Sequence, residues 1–478
     1  MRYTNPVLYA DLSDPDVIRA GEDFFLTASS FTYVPGLPVL RSRDMVHWEI
    51  IGYAADRLPD PSYSRPRHGC GIWAPSLRFH NGLFYIYACM PDEGLFAWTA
   101  EKPSGPWTCH LVKKVTGWID PCPLFDEDGV WLVHGFAASR VGINNVLYIH
   151  RLSDDGFSVL DKGYRVYDGA EHGDITVEGP KIYRRRGTYW IFCPAGGVKT
   201  GYQLALRSDR LTGPYERRVI LSQGASPVNG PHQGAWFDDG RGGDWFLHFQ
   251  DVGPYGRIPH LQPVVWSSDG WPVVGDNGTP VRQAETGLPA FPLSLPAESL
   301  FTDEIGLAWQ WQANPDPSWY RLLHPGLRLR AVPSASLRDA GQFLSRLMPW
   351  RNFDMDLSFS ARLNTQDRAG AGIMGSRYVY AAVSPGTVRL LEGSADGVER
   401  ELSVLPYEKK ELLLRMRVRD GQVSFFFGSC GTDLRPLGTA CPMEPGGWTG
   451  ARPGIFCLTK ESRSDGYADF RSVRLYER

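Results

Sequence analysis

Hydrophobic and polar positions along the first 275 residues form a unit that returns five times. Each unit has an aromatic-rich strand pattern, a second strand, and a turn with Ser or Ala, an acidic residue and an aromatic residue. The aromatic strands recur every 47 to 60 residues, which is typical of four-stranded propeller blades with their loops. The pattern predicts a five-bladed β-propeller over residues 1–285. Its aromatic markers are Phe24, Phe84, Trp131, Tyr189 and Trp245.

A different pattern follows the fifth unit. Segment 286–299, TGLPAFPLSLPAES, has three prolines and no strand alternation, which indicates a linker. Further on, LLLRMRVRDGQVSFFFG alternates apolar and basic residues, and Asp420-Gly421 supplies a tight turn. We expect the arginines of this stretch to form a solvated strand face. The pattern predicts a concanavalin-like β-sandwich over residues 300–478, and an all-β chain.

Unusual side chains recur at one phase of the repeat, 10 to 13 residues before each aromatic marker. In a propeller the first strand of each blade is innermost, so equivalent positions on these strands converge at the axis. A proline follows each of the three acids within two residues, which fixes φ and orients the carboxylate. The pattern therefore predicts one central pocket with three carboxylates. The side chains at this phase are Asp14, Trp73, Asp120, Glu178 and His232.

Three carboxylates in one pocket suit the hydrolysis of a glycosidic bond. One carboxyl group activates water or attacks carbon, and a second protonates the leaving oxygen. A third carboxylate keeps the acid protonated near neutral pH through like-charge repulsion. A sugar-binding protein without activity does not need these groups, and burying three like charges costs free energy. The residues favour a glycoside hydrolase over a non-catalytic sugar-binding propeller.

Composition narrows the partners and the compartment. The net charge is -3 and no basic stripe occurs, so neither nucleic acid nor another polyanion is an expected partner. No apolar run is long enough to span a membrane, and the N-terminus lacks the apolar segment of a secretory signal. None of the eight cysteines forms a CxxC pair, which argues against zinc. We expect a cytoplasmic protein with free buried thiols, whereas disulfides would suit a secreted one.

With these residues assembled, the chain resembles glycoside hydrolase family 43. The likeness is closest to β-xylosidase and α-L-arabinofuranosidase members that carry a C-terminal β-sandwich, and it covers essentially the whole chain. The matching stretches are SDPDVIR, GIWAPSLRFHNGLFYIY, GWIDPCPLFDEDG, VEGPKIYRRRGTYW, GRIPHLQPVVW and DGWPVV.

The resemblance implies roles for the acids. Asp14 matches the general base that activates water, Glu178 the general acid, and Asp120 the carboxylate that tunes and orients that acid. It also implies inversion of configuration in one displacement, which requires acid and base roughly 6.5–9.5 Å apart. The residues implied to bind the terminal sugar are Phe31, Trp73 and Arg257, the first two as aromatic walls.

Two positions leave alternatives. The first motif often reads Asp-Pro-Ser in the family and reads Asp14-Pro15-Asp16 here, so Asp16 is a rival base that strand alternation would place on the same face. Asp11 is a weaker rival. His232 in NGPHQGAW resembles a central histidine that in some relatives contacts a calcium or other cation, with His260 as its competitor. One histidine without nearby carboxylates makes a poor protein cage, so no cofactor is expected to be required.

The sequence therefore predicts an exo-acting β-xylosidase that takes small oligosaccharides. α-L-Arabinofuranosidase activity is the close alternative, alone or as a side activity of a bifunctional enzyme, because the two sugars share similar ring substituents. An endo-arabinanase would need an open groove, which the appended sandwich disfavours. The sandwich is expected to supply a wall of the pocket, but the pattern does not name the residue. The oligomeric state stays open.

Overall fold

The computed structural model describes residues 1–478 and confirms an all-β chain, with a five-bladed propeller followed by a β-sandwich. Helices are single turns only. No helix has the length and apolar character needed to cross a membrane. The two α-helical turns are Ala138–Val141 and Gly197–Thr200, and the four 3-10 turns are Pro61–Ser64, Gly169–His172, Gly253–Tyr255 and Pro317–Trp319.

Each propeller blade is one four-stranded antiparallel sheet whose strands follow chain order. The aromatic markers lie on the second strand of each blade, and the unusual side chains lie on or just before the first. Blade 1 comprises β2 (Asp16–Ala20), β3 (Asp23–Thr27), β4 (Gly36–Ser42) and β5 (Glu49–Ala55); blade 2, β6 (Trp73–His80), β7 (Leu83–Met90), β8 (Gly94–Ala100) and β9 (Thr108–Lys113); blade 3, β10 (Trp118–Asp126), β11 (Gly129–Phe136), β12 (Val146–Arg151) and β13 (Tyr164–Asp168); blade 4, β14 (Lys181–Arg185), β15 (Thr188–Ala195), β16 (Tyr202–Ser208) and β17 (Glu216–Ser222); blade 5, β18 (His232–Asp238), β19 (Asp244–Asp251), β20 (Arg257–Trp266) and β21 (Pro272–Val274).

The recurrent turn of each unit joins the third and fourth strands of a blade. In blade 1 the Asp44 carboxylate accepts hydrogen bonds from the backbone N–H groups of Val46 (2.9 Å) and His47 (2.8 Å). Trp48, the aromatic residue of the same turn, is fully buried in the core beside blade 5. The acidic residue therefore closes the turn and the aromatic residue packs between blades.

The two ends of the propeller sequence meet in a separate pair of strands. Strand β1 (Arg2–Thr4) pairs antiparallel with β22 (Gln283–Glu285), and the Met1 carbonyl accepts from the Thr286 N–H at 2.9 Å. Segment 286–297 contains no strand, yet Leu288 and Leu295 are buried against blade 1. This connection is therefore anchored at two buried leucines, with most of its other residues exposed.

The sandwich consists of a nine-stranded and an eight-stranded sheet whose facing sides form one hydrophobic core. Its strands are β23 (Glu298–Ser299), β24 (Trp309–Trp311), β25 (Tyr320–Leu322), β26 (Leu327–Arg330), β27 (Val332–Pro333), β28 (Leu344–Arg346), β29 (Phe353–Arg362), β30 (Asp367–Met374), β31 (Tyr378–Ser384), β32 (Thr387–Gly393), β33 (Glu399–Pro406), β34 (Glu411–Arg419), β35 (Gln422–Gly428), β36 (Arg435–Pro436), β37 (Cys441–Pro442), β38 (Arg452–Thr459) and β39 (Tyr467–Glu477).

Strand β34 shows the predicted alternation, because its apolar side chains are buried in this core. The predicted arginine face points outward and 20–38% of each arginine side chain is exposed, but the guanidinium groups are paired rather than free in solvent. Arg415 donates to Asp356 at 2.6 Å, and Arg417 and Arg419 donate to Asp354, which is only 1% exposed. The neighbouring strand β29 therefore supplies partners that the alternation alone does not reveal.

The sandwich is joined to blade 1 by backbone pairing. Val34 and Trp311 exchange two hydrogen bonds, at 2.9 and 2.6 Å. The Asn314 side chain accepts from the Leu58 N–H and donates to the Leu58 carbonyl, both at 2.8 Å. These contacts fix the sandwich beside the mouth of the propeller axis.

Candidate active site

A small pocket of about 90 Å³ lies where the innermost strands converge. It contains all three predicted acids, together with Phe31, Trp73 and Arg257. Four further residues, one of them from the sandwich, were not predicted. The full lining is Asp14, Phe31, Trp73, Ala74, Ile119, Asp120, Glu178, Gln233, Arg257 and Trp448.

Asp14 is held by two donors. Its Oδ2 accepts from the Ser29 hydroxyl at 2.6 Å and its Oδ1 from the Arg257 guanidinium at 2.7 Å. The Ser29 oxygen in turn accepts from the Ala74 N–H at 2.7 Å, which connects blade 1 to blade 2. Asp14 has φ 54°, outside the strand conformation, and only 5% of it is exposed. Its carboxylate is therefore fixed in orientation and faces the pocket.

Asp16, the rival base, lies outside the pocket. The expectation that it shares a face with Asp14 was wrong, because the left-handed conformation at Asp14 interrupts the strand alternation. Asp16 is fully buried, and its Oδ2 accepts from Arg78 at 2.8 Å and from the Leu77 N–H at 2.7 Å. The fully buried Lys181 ammonium lies 3.7 Å away. Asp16 therefore neutralises the partly buried Arg78 and the fully buried Lys181 between the blades of the propeller.

Asp11, the weaker rival, joins the propeller to the sandwich. One carboxylate oxygen accepts from the Arg257 N–H at 2.9 Å, and the other from the Gly450 N–H at 3.0 Å. Burial raises the pKa of Asp11, against the opposing charge of Arg452. Asp11 lies beside the pocket without lining it.

Asp120 and Glu178 form a pair on blades 3 and 4. The Asp120 carboxylate accepts from the Gly179 N–H at 2.7 Å, so it holds the peptide that follows Glu178. Burial, and then the charges of Glu178 and Asp14, raise the pKa of Asp120 to about 8. The like-charge effect expected from three carboxylates therefore acts on Asp120, the more deeply buried of the pair.

His232 lies behind Glu178 and does not line the pocket. Its Nε2 is 3.0 Å from Glu178 Oε1, the ring is fully buried, and Nδ1 has no partner. His260 lies on the third strand of blade 5, opposite His248, and neither of its ring nitrogens has a partner. No three His, Cys, Asp or Glu side chains in the chain are grouped to hold a metal ion. Since calcium takes six to eight oxygen ligands, the residues around His232 do not fit a protein-built calcium site.

Three aromatic rings form the wall of the pocket. The Trp73 ring centroid lies 6.4 Å from that of Phe31 and 6.0 Å from that of Trp448. The Arg140 guanidinium stacks on the Trp73 ring at 4.9 Å and is itself bound to Asp92 at 3.2 Å. Flat apolar faces of this kind suit the C–H faces of a sugar ring.

Trp448 is the wall residue that the sequence could not name. It lies on the sandwich loop before β38, and its backbone carbonyl accepts from the Ser13 hydroxyl at 3.2 Å. No repeat phase or motif distinguishes it from the other tryptophans. Gln233, in contrast, directly follows His232 in NGPHQGAW and could have been found from the same repeat phase.

The order of the blades decides how the acids face one another. In a ring of five, blade 1 lies opposite blades 3 and 4, so Asp14 faces Asp120 and Glu178 across the axis. A sugar in this pocket would therefore have one carboxylate on one side and two on the other. This is the arrangement that acid-assisted attack by water on an acetal carbon requires.

Comparison with known proteins agrees with this geometry. The sequence profile "Glycosyl hydrolases family 43" matches residues 3–272, and the profile "Beta xylosidase C-terminal Concanavalin A-like domain" matches residues 301–475. A protein of Xylanibacter ruminicola named "Putative beta-xylosidase" is 36% identical over 96% of this chain and 86% of its own length. A non-reducing end α-L-arabinofuranosidase of Bacteroides ovatus is 32% identical over 76% of this chain and 70% of its own.

A solved structure shares the whole architecture. The family 43 protein of Bacillus licheniformis superposes with a TM-score of 0.89 at 24% identity, over 100% of both chains. At 24% sequence identity, this structural similarity supports a shared fold and nothing further. The two profiles and the sequence relatives together show that this chain belongs to glycoside hydrolase family 43 and is a glycoside hydrolase of oligosaccharides.

Proposed function

We propose that the protein is an inverting exo-glycosidase that releases terminal β-D-xylosyl residues from xylo-oligosaccharides. The observation that carries the proposal is the position of Asp14, which faces Asp120 and Glu178 across a small pocket closed by Trp448. In this mechanism Asp14 takes a proton from the attacking water, and Glu178 gives a proton to the leaving oxygen.

The contacts of each acid support this division of roles. Asp14 is bound by Ser29 and Arg257, which fixes its carboxylate in the pocket in position to take a proton from water. The Glu178 side chain is 31% exposed, so a leaving sugar can reach it and depart. Asp120 binds the Gly179 N–H, and we assign it the positioning of the Glu178 peptide and of the shared proton.

The exo mode rests on the shape of the pocket. The cavity is small, and the sandwich loop places Trp448 against Trp73 on one side of it. An endo-acting arabinanase would need a groove open at both ends. A single blocked end favours recognition of one terminal sugar.

The names of the relatives leave two candidate sugars for the substrate. The Xylanibacter ruminicola protein is named as a xylosidase and the Bacteroides ovatus protein as an arabinofuranosidase. We place β-D-xylose first because the relative with the larger coverage carries that name, and α-L-arabinofuranose second.

Paired rates on 4-nitrophenyl β-D-xylopyranoside and 4-nitrophenyl α-L-arabinofuranoside test the substrate. We expect faster release from the xyloside, a loss of at least about 10³-fold in kcat for Asp14→Ala, and an α-configured first product by NMR. Faster arabinofuranoside release would replace the substrate and keep the mechanism. A β-configured first product from the xyloside, an α-configured one from the arabinofuranoside, or an Asp14→Ala variant of normal rate would contradict the mechanism itself.

We also propose that the protein is cytoplasmic and needs no cation. Support for the compartment comes from the eight cysteines, which are all unpaired, with Cys109 and Cys430 exposed. Cell fractionation tests the first statement. Rates after dialysis against EDTA, with and without added Ca²⁺, test the second, and a calcium-restored loss would contradict it.

A further inference from the structure

The side-chain amide of Gln233 is a buried polar group without a partner in the protein. It lines the catalytic pocket and is only 3% exposed, yet its Nε2 makes no hydrogen bond. Buried amides in folded proteins are almost always paired, since an unpaired one has lost its water without replacement. A pocket-lining amide left in this state indicates a partner that arrives with the ligand.

Two features of the backbone hold this amide in place. Gln233 has φ 24°, a left-handed conformation that a residue with a side chain rarely adopts. Its amide packs against Gly179, where an added Cβ would lie 2.7 Å from Gln233 Cδ. Gly179 follows Glu178 and has φ 55°, so glycine is needed there both for the conformation and for the contact. Gln233 is therefore pressed against the peptide of the proposed acid.

The chemistry of the other lining residues separates Gln233 from them. The remaining polar groups of the pocket are three carboxylates, one guanidinium and indole N–H groups. Gln233 carries the one neutral amide of the lining, which can donate and accept at once. A sugar hydroxyl has the same two capacities, so one hydroxyl can satisfy both atoms of the amide.

We propose that Gln233 binds the C2 hydroxyl of the terminal sugar, the hydroxyl next to the scissile bond. The inference rests on the proposed function and deepens it, because it names the substrate group that this residue recognises. The choice of C2 follows from the contact with Gly179, which places the amide beside the acid and hence beside the anomeric carbon. Hydrogen bonds to this hydroxyl strengthen in the transition state of glycoside hydrolysis.

The test compares Gln233→Met with wild type on 4-nitrophenyl β-D-xylopyranoside and on its 2-deoxy analogue, after subtraction of spontaneous hydrolysis. Met keeps the length of the side chain and removes both hydrogen-bonding atoms. We expect kcat/KM on the xyloside to fall about 10- to 100-fold, the loss of a hydrogen bond with one buried partner left unpaired. On the 2-deoxy analogue, variant and wild type are expected to differ by less than about threefold.

The matched control is Gln283→Met, which makes the same change on the exposed strand β22, where Gln283 bonds only to Thr4 at 3.2 Å. It should leave both rates unchanged. Gln233→Ala provides a second variant if the methionine protein fails to fold. If Gln233→Met lowers kcat/KM equally on both substrates and shifts the pH profile of kcat/KM, the proposal is overturned. Gln233 would then be assigned to the positioning of Glu178.

A binding measurement separates this inference from the proposed function. Free xylose and 2-deoxyxylose are titrated into wild type and Gln233→Met, and isothermal titration calorimetry reports binding. If no xyloside is cleaved, the proposed function fails, but weaker xylose binding by the variant with unchanged 2-deoxyxylose binding still supports the role of Gln233. Equal binding of both sugars by both proteins overturns it.

Discussion

Two of the three pocket acids have backbone conformations that side chains ordinarily avoid. Asp14 has φ 54° and Asp120 has φ 56°. Each residue leaves the strand ladder at the point where its carboxylate enters the pocket, and each carboxylate then accepts hydrogen bonds that hold it there. Strained positions of this kind concentrate at functional sites, where the surrounding structure maintains them. The strained backbone at Asp14 and Asp120 lowers local stability, and in return it fixes the orientation of the two carboxylates in the pocket.

Asp120→Asn should stabilise the protein while it impairs activity. Burial and the charges of Glu178 and Asp14 raise the pKa of Asp120 to about 8. The folded protein therefore holds a proton that the unfolded chain releases near pH 4, and stability is lost as the pH rises from about 4 to about 8. Asparagine cannot ionise and its Oδ1 can still accept from Gly179. We expect a gain of at least about 1 kcal/mol in the free energy of unfolding at pH 8, measured in urea.

The same substitution should have little effect on stability near pH 4, because the wild-type Asp120 is then protonated in the folded protein and largely protonated in the unfolded chain, and so is neutral like asparagine. Asp56→Asn, at an exposed position without a side-chain partner, is the matched control and should show no pH-dependent gain. A gain for Asp120→Asn that is the same at pH 5 and pH 8 would contradict the charge argument and point to packing.

At the scale of elements, the repeat explains what could be predicted. Trp73, Asp120 and Glu178 share one phase before an aromatic strand, and that phase corresponds to the innermost strand of each blade. Local sequence order therefore implied their convergence without any long-range information. The conformation at Asp14 could not be predicted in this way, so Asp16 looked equivalent until the backbone was known.

Contacts between elements that are distant in the chain could not be predicted from the sequence. Trp448 enters the pocket from a loop more than 200 residues beyond blade 4, where no periodicity relates it to the propeller. Asp354 pairs with Arg417 and Arg419, and Asp356 with Arg415, because strands β29 and β34 are neighbours, a pairing that depends on sheet order. Patterns of period two identify which residues are inward, but not which strands lie side by side.

Gly450→Ala should displace the loop that carries Trp448. A Cβ at Gly450 would lie 2.6 Å from the Gly256 nitrogen and 2.6 Å from the Tyr255 carbonyl carbon, both backbone atoms that cannot rotate away. The loop must then move, which weakens the Asp11–Gly450 hydrogen bond and opens the aromatic wall. We expect KM for the proposed xyloside to rise at least about tenfold, with a smaller change in kcat.

Gly447→Ala is the matched control, because a Cβ at that position meets no atom within 4 Å. It lies three residues away on the same loop and should leave KM unchanged. Equal KM values for the two variants would mean that the wall does not contribute to substrate binding.

At the scale of the whole molecule, the sandwich is part of the active site and of the propeller's stability. It supplies Trp448 to the pocket, and its strand β24 pairs with blade 1 through Val34 and Trp311. Tyr255 and Ile258 of blade 5 are buried in the main sandwich core. Polar and apolar contacts thus join the two domains at two separate blades, so we expect them to unfold together.

Asn314→Leu should uncouple the domains. Asn314 is 7% exposed and closes a reciprocal pair of hydrogen bonds with the backbone of Leu58 in the propeller. Leucine has a similar size but leaves the N–H and C=O groups of Leu58 unpaired in a buried contact, which costs about 2–4 kcal/mol. Because that cost falls on the interface, calorimetry should show two transitions for the variant, where one is expected for the wild type. Asn364→Leu, which removes exposed hydrogen bonds to Ser464 and Asp465 within the sandwich alone, should keep one transition. One transition at a lowered temperature for Asn314→Leu would show that the remaining contacts suffice for cooperative unfolding, and two transitions in the wild type would show that the domains never unfold as one.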